Sequence, residues 1–121
     1  MYEVIFYKDK NGKEPIKEYL FVLKKQAKTS KHAQIHIEKI LIYIKALQDY
    51  GIKIGSPTIK HIDNKLWELR PLSNRIFFFY WQNNTFVLLH HFIKKSQKTP
   101  KREINKAKQN LKTFLDRVNQ S

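Results

Sequence analysis

The sequence contains no cysteine and only three glycines. The absence of cysteine excludes disulfides, zinc sites built from thiolates and cysteine nucleophiles, and it fits a reducing cytoplasm. Three glycines are too few for a loop that cradles phosphates, and the Gly-x-Gly-x-x-Gly, Walker and Gly-x-Ser-x-Gly patterns are absent. We therefore expect neither thiol chemistry nor a glycine-rich nucleotide site.

Long hydrophobic runs are also missing. The longest strongly apolar stretches, Ile40–Ile44 and Ile76–Trp81, fall far short of the ~20 residues that a membrane helix needs. The first residues include Glu3 and only a short apolar patch, so they do not match the basic and then apolar pattern of a signal peptide. A length of 121 residues with 41% apolar content is enough for one packed core. We expect a single cytoplasmic domain over residues 1–121, without membrane attachment.

Acidic residues are scarce relative to basic ones. The 24 lysines and arginines outnumber the 10 acidic residues, which gives a net charge of +14. Such a charge is expected of a protein that meets nucleic acid or an acidic partner. Lysine supplies 20 of the 24 cations and predicts a solvated face, whereas the four arginines are more informative because a planar guanidinium binds phosphate in a bidentate manner.

The spacing of apolar residues predicts an α+β fold. A period of two indicates a first strand, and helical spacing follows Pro15 and Ser30, which suit helix starts. The period later returns to two, and Asn83-Asn84 suits a two-residue type I′ turn. The predicted elements are a strand at 2–7, helices at 15–27 and 31–50, a loop at 51–64, strands at 66–70, 75–82 and 85–93, and a helix over 100–118. We expect an antiparallel sheet of about four strands, backed by an N-terminal helical hairpin and a C-terminal helix.

The Asn83-Asn84 turn predicts which residues lie opposite one another in the sheet, because the register of a hairpin follows from its loop. The expected pairs are Phe77 with His90, Arg75 with Phe92, Phe78 with Leu89, Tyr80 with Val87, Arg70 with Arg75, and Glu68 with Phe77.

This pairing divides the side chains between two faces of the sheet. One face is almost entirely apolar, and we expect it to pack against the helices. Its residues are Trp67, Leu69, Ile76, Phe78, Tyr80, Val87, Leu89, His91 and Ile93. The opposite face mixes aromatic rings with charged groups, and we expect it to face solvent. Its residues are Leu66, Glu68, Arg70, Arg75, Phe77, Phe79, Leu88, His90, Phe92 and Lys94.

The two arginines of the mixed face raise the question of what offsets their repulsion. Like charges directly opposite one another in a sheet are unfavourable by up to ~1 kcal/mol. Either Glu68 neutralises Arg70 and Arg75 in a surface cluster without a ligand, or a bound phosphate lies between the guanidinium groups.

Aromatic rings beside these arginines suggest stacking surfaces for unpaired RNA bases. Phe79 and Leu66 are the exceptions, since the first strand or the last helix can cover them. We therefore expect single-stranded RNA on the mixed face. The expected RNA-binding residues are Lys60, Lys65, Phe77, Phe92, Lys95 and Arg102.

RNA cleavage by the neighbouring 2′-hydroxyl needs a base, a group that stabilises the pentavalent phosphate and a proton donor. Arg70 and Arg75 suit the stabilising role. Glu68 suits a base or an orienting group, and Lys94 suits proton transfer or electrostatic stabilisation. His90 is either a proton-transfer group or a structural histidine, because imidazole titrates near neutral pH.

No metal site or cofactor is expected. His32 and His36 have the helical spacing of two metal ligands, but no third ligand is indicated. We expect both of these histidines to lie on the helix surface.

Four short motifs in a fixed order carry a family resemblance. They are LWELR at 66–70, RIFFFY at 75–80, VLLHHFIKK at 87–95 and QKTP at 97–100, with alanine at 107 beyond them. With this order and spacing, the chain resembles the HigB branch of the RelE/ParE toxin superfamily over residues 60–115. In this resemblance Arg70 and Arg75 match the arginines that end one strand and open the next, and Lys94 and Lys95 match the paired lysines.

The resemblance implies a bacterial or phage-derived type II toxin with a RelE-like fold. Such a toxin inhibits translation by cleaving messenger RNA in the ribosomal A site, without a metal, and leaves a 2′,3′-cyclic phosphate. The implied partners are the ribosome, its message and a helix-turn-helix antitoxin of the HigA kind, with DNA met only through the antitoxin complex.

Two other functions stay open on the sequence. ParE-like members of the superfamily share the fold but poison gyrase, so they act by binding protein and not by cutting RNA. A non-catalytic RNA-binding module is the second alternative, because a basic sheet face explains binding without explaining a reaction.

Overall fold

Within residues 1–119, which the structure describes, three helices and a five-stranded mixed sheet form an α+β fold. The structure is a computed structural model. The elements are β1 (Glu3–Phe6), α1 (Pro15–Gln26), α2 (Lys31–Tyr50), a short 3₁₀ helix (Gly51–Ile54), β2 (Ile59–Asp63), β3 (Leu66–Leu69), β4 (Asn74–Gln82), β5 (Thr85–Ile93) and α3 (Lys101–Asn119). The strand order is β1-β5-β4-β3-β2.

Local signals in the sequence place the ends of several elements. Pro15 occupies the first turn of α1, where its missing N–H costs no hydrogen bond. The Ser30 hydroxyl caps α2 by accepting a hydrogen bond from the Ala33 N–H at 3.1 Å. Asn83 and Asn84 have φ angles of 51° and 57°, as a type I′ turn requires, so the predicted turn is confirmed.

Two features of the sheet differ from the prediction. The predicted loop at 51–64 contains β2, an edge strand with mostly exposed side chains and an irregular register after His61, so it lacks a clear alternation. The strand β1 joins the sheet but runs parallel to β5, with Glu3 opposite Thr85, and the sheet is therefore mixed. No hairpin turn connects β1 to β5, so the local chain does not dictate their relative direction.

Helices cover both faces of the sheet, and each face has its own apolar core. The hairpin of α1 and α2 packs on one face, over Leu69, Ile76 and Phe78 among others. The helix α3 packs on the other face, where Ala107 and Phe114 meet buried side chains of the sheet. The sheet residues in this second core are Leu66, Phe77, Phe79, Val87, Leu89 and Phe92. The prediction that the mixed face is open to solvent is therefore wrong for most of its length.

The predicted register between β4 and β5 is confirmed at both ends, where Gln82 lies opposite Thr85 beside the turn, but not between them. Arg75 lies opposite Phe92, as expected, and Phe77 lies opposite His90. Beyond this point the ladder shifts by one residue at Leu89, because β5 contains a bulge, and a second irregularity between Tyr80 and Gln82 restores the register. The observed pairs after the bulge are Phe78 with Leu88, Phe79 with Val87 and Tyr80 with Phe86, in place of the predicted Phe78 with Leu89 and Tyr80 with Val87.

Because of the bulge, the β5 side chains between the Asn83-Asn84 turn and Leu89 lie on the sheet face opposite to the predicted one. Leu88 lies in the core under α1 and α2, whereas Val87 and Leu89 lie under α3. Counting in steps of two assumes an uninterrupted ladder, and a single extra residue reverses every assignment beyond it.

His91 faces the α1–α2 side, as predicted. Its ring stacks on Tyr19 of α1 with a centroid distance of 4.0 Å, and its Nε2 lies 3.0 Å from the Asn74 Oδ1. The pKa of His91 is lowered to about 4, chiefly by burial and also by the neighbouring His90, while Glu103 opposes the shift. The folded protein therefore holds this imidazole in its neutral form at neutral pH.

Acid should destabilise the protein through His91. A histidine titrates near pH 6.5 in an unfolded chain, so between about pH 6.5 and pH 4 the unfolded state binds more protons and stability falls as the pH falls. We expect His91 to account for a loss of about 2 kcal/mol in the free energy of unfolding between pH 7 and pH 4.5. Urea unfolding at the two pH values should show that His91→Gln, which keeps an N–H donor towards Asn74, removes most of this loss.

The matched control for this measurement is His61→Gln at an exposed position of β2, remote from Asn74. It should retain the wild-type pH dependence. Equal pH dependence in His91→Gln and the wild type would contradict the assignment to His91.

Candidate functional site

Five charged side chains gather at one end of the sheet, on the face that α3 partly covers. We call this group the basic cluster; it consists of Lys60, Glu68, Arg70, Arg75 and Lys94. The Oε1 atom of Glu68 lies 3.4 Å from the Arg70 Nε and 3.9 Å from the Arg75 Nε. Both arginines thus reach the same carboxylate, as the strand parity predicts.

The turn between β3 and β4 holds Arg75 in place. Its Nη1 donates to the backbone carbonyl oxygens of Leu72 at 2.6 Å and Asn74 at 2.8 Å, and its side chain is only 12% exposed. Arg70 follows β3, and its backbone N–H donates to the Thr58 carbonyl at 2.9 Å. The Arg70 side chain is 26% exposed, and Glu68 is its partner among the described residues. Arg70 is therefore the more accessible of the two guanidinium groups.

The two lysines of the basic cluster flank the arginines. Lys60 lies directly opposite Glu68 in the pairing of β2 with β3. The backbone N–H of Lys94 donates to the Ser73 carbonyl at 2.8 Å, which brings the end of β5 beside the β3–β4 turn. One carboxylate therefore lies among four cations.

Burial dominates the electrostatics of Glu68, whose side chain is 1% exposed. Burial raises the pKa of Glu68, although the charges of Arg75 and Arg70, and then those of both lysines, offset part of the shift. Burial also lowers the pKa of Lys94, and the positive charge of Arg75 adds to this effect. Lys94 is thus a cation whose proton is held less tightly than in an ordinary lysine.

Three polar atoms of the basic cluster are buried without a hydrogen-bond partner among the described residues. They are the Glu68 Oε2 and the Nε atoms of Arg70 and Arg75. Both Nε atoms lie at ion-pair distance from the Glu68 Oε1 without forming a hydrogen bond to it, so the basic cluster is not fully satisfied by its own members. The chemistry of the donors suits a phosphate, because guanidinium groups recognise its oxygens.

His90 lies outside the basic cluster. Phe77 lies between Glu68 and His90 in the row that runs across β3, β4 and β5. The His90 Nε2 lies 2.7 Å from the Glu103 Oε1 in α3, and since a carboxylate only accepts hydrogen bonds, this nitrogen carries the proton. The structure therefore joins His90 to α3 and leaves its predicted catalytic role as a prediction.

The prediction that Phe77 and Phe92 stack on RNA bases is wrong. Phe77 is fully buried and Phe92 is 8% exposed. Their rings pack against each other with a centroid distance of 5.7 Å, and Ala107 of α3 belongs to the same core. The small side chain of Ala107 allows α3 to approach closely, and the helix takes the place that a base was expected to occupy.

The other predicted RNA-binding residues occupy different parts of the surface. Lys95 is exposed and directly follows Lys94. Arg102 is 81% exposed at the start of α3, where its Nε lies 3.6 Å from the Glu103 Oε2. Lys65 directly precedes β3, whereas Arg70 directly follows it, so the two residues lie at different ends of this strand. Lys65 lines a cleft of about 460 Å³ together with Lys108 and Lys112. Lys65 therefore does not join the basic cluster.

Sequence reasoning missed three polar residues near the site. His36 was expected on the helix surface, but its Nδ1 lies 2.9 Å from the Nδ2 of the fully buried Asn74. Glu103, which binds His90, was not singled out either. The sequence offered only weak signals for these residues. Glu103 is the one acidic residue in the first turn of a basic helix, and Asn74 directly precedes Arg75.

The fold and the basic cluster define a class, a small basic α+β protein with cations gathered at one end of its sheet. A profile of the phage-derived Gp49-like protein family (DUF891) matches residues 30–112, which is more than half of the chain. The chain therefore belongs to this family, which is a family of RelE/ParE-like toxins. No curated protein matches the chain at a significant level. Within residues 1–119, no helix combines the length and the apolar character needed to cross a membrane.

Replacing Glu68 by glutamine should change how stability depends on pH. Because the folded pKa of Glu68 is raised, the folded state binds more protons than the unfolded state just above pH 4.5, and the wild type loses stability there as the pH rises. Glu68→Gln lacks this titration, so its free energy of unfolding should increase relative to that of the wild type as the pH rises from 4 to 7. Chemical denaturation over this pH range measures the difference.

The control is Glu18→Gln on the exposed side of α1. Its difference from the wild type should stay nearly constant with pH. A Glu68→Gln variant that instead loses stability relative to the wild type as the pH rises would show that the arginines outweigh burial.

Proposed function

We propose that this protein is the toxin of a type II toxin-antitoxin system and that it cleaves translated messenger RNA on the ribosome. The observation that carries the proposal is the pair of guanidinium groups, Arg70 and Arg75, held beside one buried carboxylate on a chain with a net charge of +14. Membership of a family of RelE/ParE-like toxins supports it.

The proposed reaction is transesterification followed by release of the downstream strand. The 2′-oxygen attacks the adjacent phosphorus, so that a bond between phosphorus and the 2′-oxygen forms and the bond to the 5′-oxygen breaks. The proton of the 2′-hydroxyl passes to a base, and the departing 5′-oxygen takes a proton. The products are a 2′,3′-cyclic phosphate and a 5′-hydroxyl end.

The geometry favours a division of roles within the basic cluster. Arg70 and Arg75 would stabilise the negative charge that grows on the phosphoryl oxygens. Glu68 is too deeply buried to reach a hydroxyl, so it would orient the two guanidinium groups. Lys94, with its lowered pKa, is the best-placed residue for proton transfer. His90 is the second candidate for this role, and its Glu103 partner would hold the ring orientation.

The covered aromatic rings support dependence on the ribosome. With Phe77 and Phe92 buried, the site offers a bound message phosphate contacts from Lys60, Arg70 and Lys94, and few surfaces on which bases can stack. Such contacts position a backbone without selecting or aligning bases. We propose that the ribosome supplies the alignment of the message that attack by the 2′-hydroxyl requires.

Primer extension on message, with and without ribosomes, tests this function. Wild-type protein should create new 5′ ends only on message that is being translated. Arg70→Ala and Arg75→Ala should each reduce these ends by about 100-fold, a typical effect of removing one transition-state donor. The control is Arg117→Ala, since Arg117 lies near the end of α3 and donates to the Lys8 carbonyl.

Two outcomes would favour the alternatives. Growth arrest without new 5′ ends, accompanied by DNA-damage signalling and unaffected by either arginine variant, would indicate a gyrase inhibitor of the ParE kind. RNA binding that weakens with salt but causes no growth arrest would indicate a non-catalytic binding module.

We also propose a HigA-like helix-turn-helix antitoxin as the partner, with an acidic segment that matches the positive charge of this chain. Expression of the neighbouring gene together with the toxin gene should restore growth, and the two products should purify as one complex. An empty vector and an unrelated helix-turn-helix protein serve as controls. Failure of the neighbouring gene to restore growth would contradict this partner.

A further inference from the structure

Asn74 is a fully buried polar residue immediately before Arg75. Its side-chain amide contacts groups from four different segments of the chain. These are the Tyr19 hydroxyl of α1 at 3.0 Å, the His36 Nδ1 of α2 at 2.9 Å, the Pro71 carbonyl of the β3–β4 turn at 3.2 Å and the His91 Nε2 of β5 at 3.0 Å.

Hydrogen-bond chemistry fixes the orientation of this amide. The Pro71 carbonyl only accepts hydrogen bonds, so the amide atom facing it must be the Nδ2 donor. The His36 Nδ1, which also faces Nδ2, therefore accepts, and this imidazole is neutral. The Oδ1 atom accepts from the Tyr19 hydroxyl and from the His91 Nε2–H. Both amide protons and both lone pairs of Asn74 are used.

The same residue controls the turn that holds Arg75. The backbone N–H of Asn74 donates to the Pro71 carbonyl at 3.0 Å, next to the bond from its side chain. These bonds close a turn in which Leu72 has a φ of 58°, an uncommon angle for a residue other than glycine. The carbonyl oxygens that accept the Arg75 Nη1 belong to Leu72 and Asn74, so the turn conformation sets the position of the guanidinium group.

We infer that Asn74 is a positioning residue, which connects the helical hairpin to Arg75 and thereby sets the affinity of the basic cluster for a phosphate of bound RNA. Tyr19 and His36 act through it, although neither belongs to the basic cluster. A fully satisfied buried network holds one arrangement of its groups, because each lost bond leaves a buried polar atom unpaired. This inference rests on the proposed function, since it takes RNA as the ligand of the basic cluster.

A double-mutant cycle on RNA affinity tests the inference. The change is Tyr19→Phe, which removes one donor to the Asn74 Oδ1 and keeps the ring that stacks on His91. The probe is a single-stranded oligonucleotide with 2′-O-methyl groups throughout, which the protein can bind but cannot cleave by 2′-hydroxyl attack. Fluorescence anisotropy should show about threefold to tenfold weaker binding by Tyr19→Phe, a normal size for coupled neighbours.

The effect should depend on Arg75. In an Arg75→Ala background, Tyr19→Phe should leave the affinity unchanged, whereas in an Arg70→Ala background the loss should persist. The matched control is Tyr43→Phe, because Tyr43 lies in α2 and its hydroxyl has no hydrogen bond among the described residues. A merely structural role would lower the unfolding temperature and weaken binding equally in all three backgrounds, which would overturn the inference.

A second measurement needs no RNA. The Nε of Arg75 is buried, so its N–H should give an observable nitrogen-15 resonance at neutral pH. Tyr19→Phe should shift or broaden this resonance and leave the indole N–H resonance of Trp81, whose ring packs against Phe114 of α3, unchanged. An unchanged Arg75 resonance would overturn the inference. If Arg70→Ala and Arg75→Ala themselves leave RNA affinity unchanged, the proposed function fails and the link to phosphate affinity fails with it, whatever the resonance shows.

Discussion

The carboxylate of Glu68, buried beside two guanidinium groups, is the interaction on which the site depends. Arg70 and Arg75 lie beside the same carboxylate oxygen, so their positive charges repel each other. The negative charge of Glu68 offsets that repulsion within one face of the sheet. Burying the carboxylate is itself costly, as the raised pKa of Glu68 shows. Because the cost of burying charge offsets much of the attraction, a buried ion pair of this kind is weak evidence for added stability. We therefore interpret Glu68 as the residue that allows Arg70 and Arg75 to lie side by side in the basic cluster.

The helix α3 decides how much of the sheet is available to a ligand. It covers Phe77, Phe79 and Phe92, which would otherwise form a broad aromatic surface, and it engages His90 through Glu103. What remains accessible is the end of the sheet where β3 stops and the β3–β4 turn begins. A site reduced in this way can hold a phosphate group through charge, but it offers little recognition of bases. Its specificity must come from whatever presents the message to it.

The sequence predicted the parts of the fold that follow from local chemistry. The three helices, the Ser30 cap and the Asn83-Asn84 turn each depend on residues close together in the chain, and all are present. The parity argument also placed Arg70 and Arg75 beside Glu68, because the ladder near the β3–β4 turn is regular. The parity argument failed between Leu89 and the Asn83-Asn84 turn, because one extra residue in β5 exchanges the two faces there. It missed β2, whose exposed side chains leave no period to detect.

Composition and spacing by themselves thus determined a basic α+β protein with two arginines on one sheet face. Only the tertiary structure decided which face α3 covers, which aromatic rings are buried, and that a buried asparagine joins His36 and Tyr19 to the turn before Arg75. The physical reason is that periodicity records the environment of a residue along its own element. It carries no information about which distant element supplies that environment, since contacts between remote segments arise only when the whole chain packs.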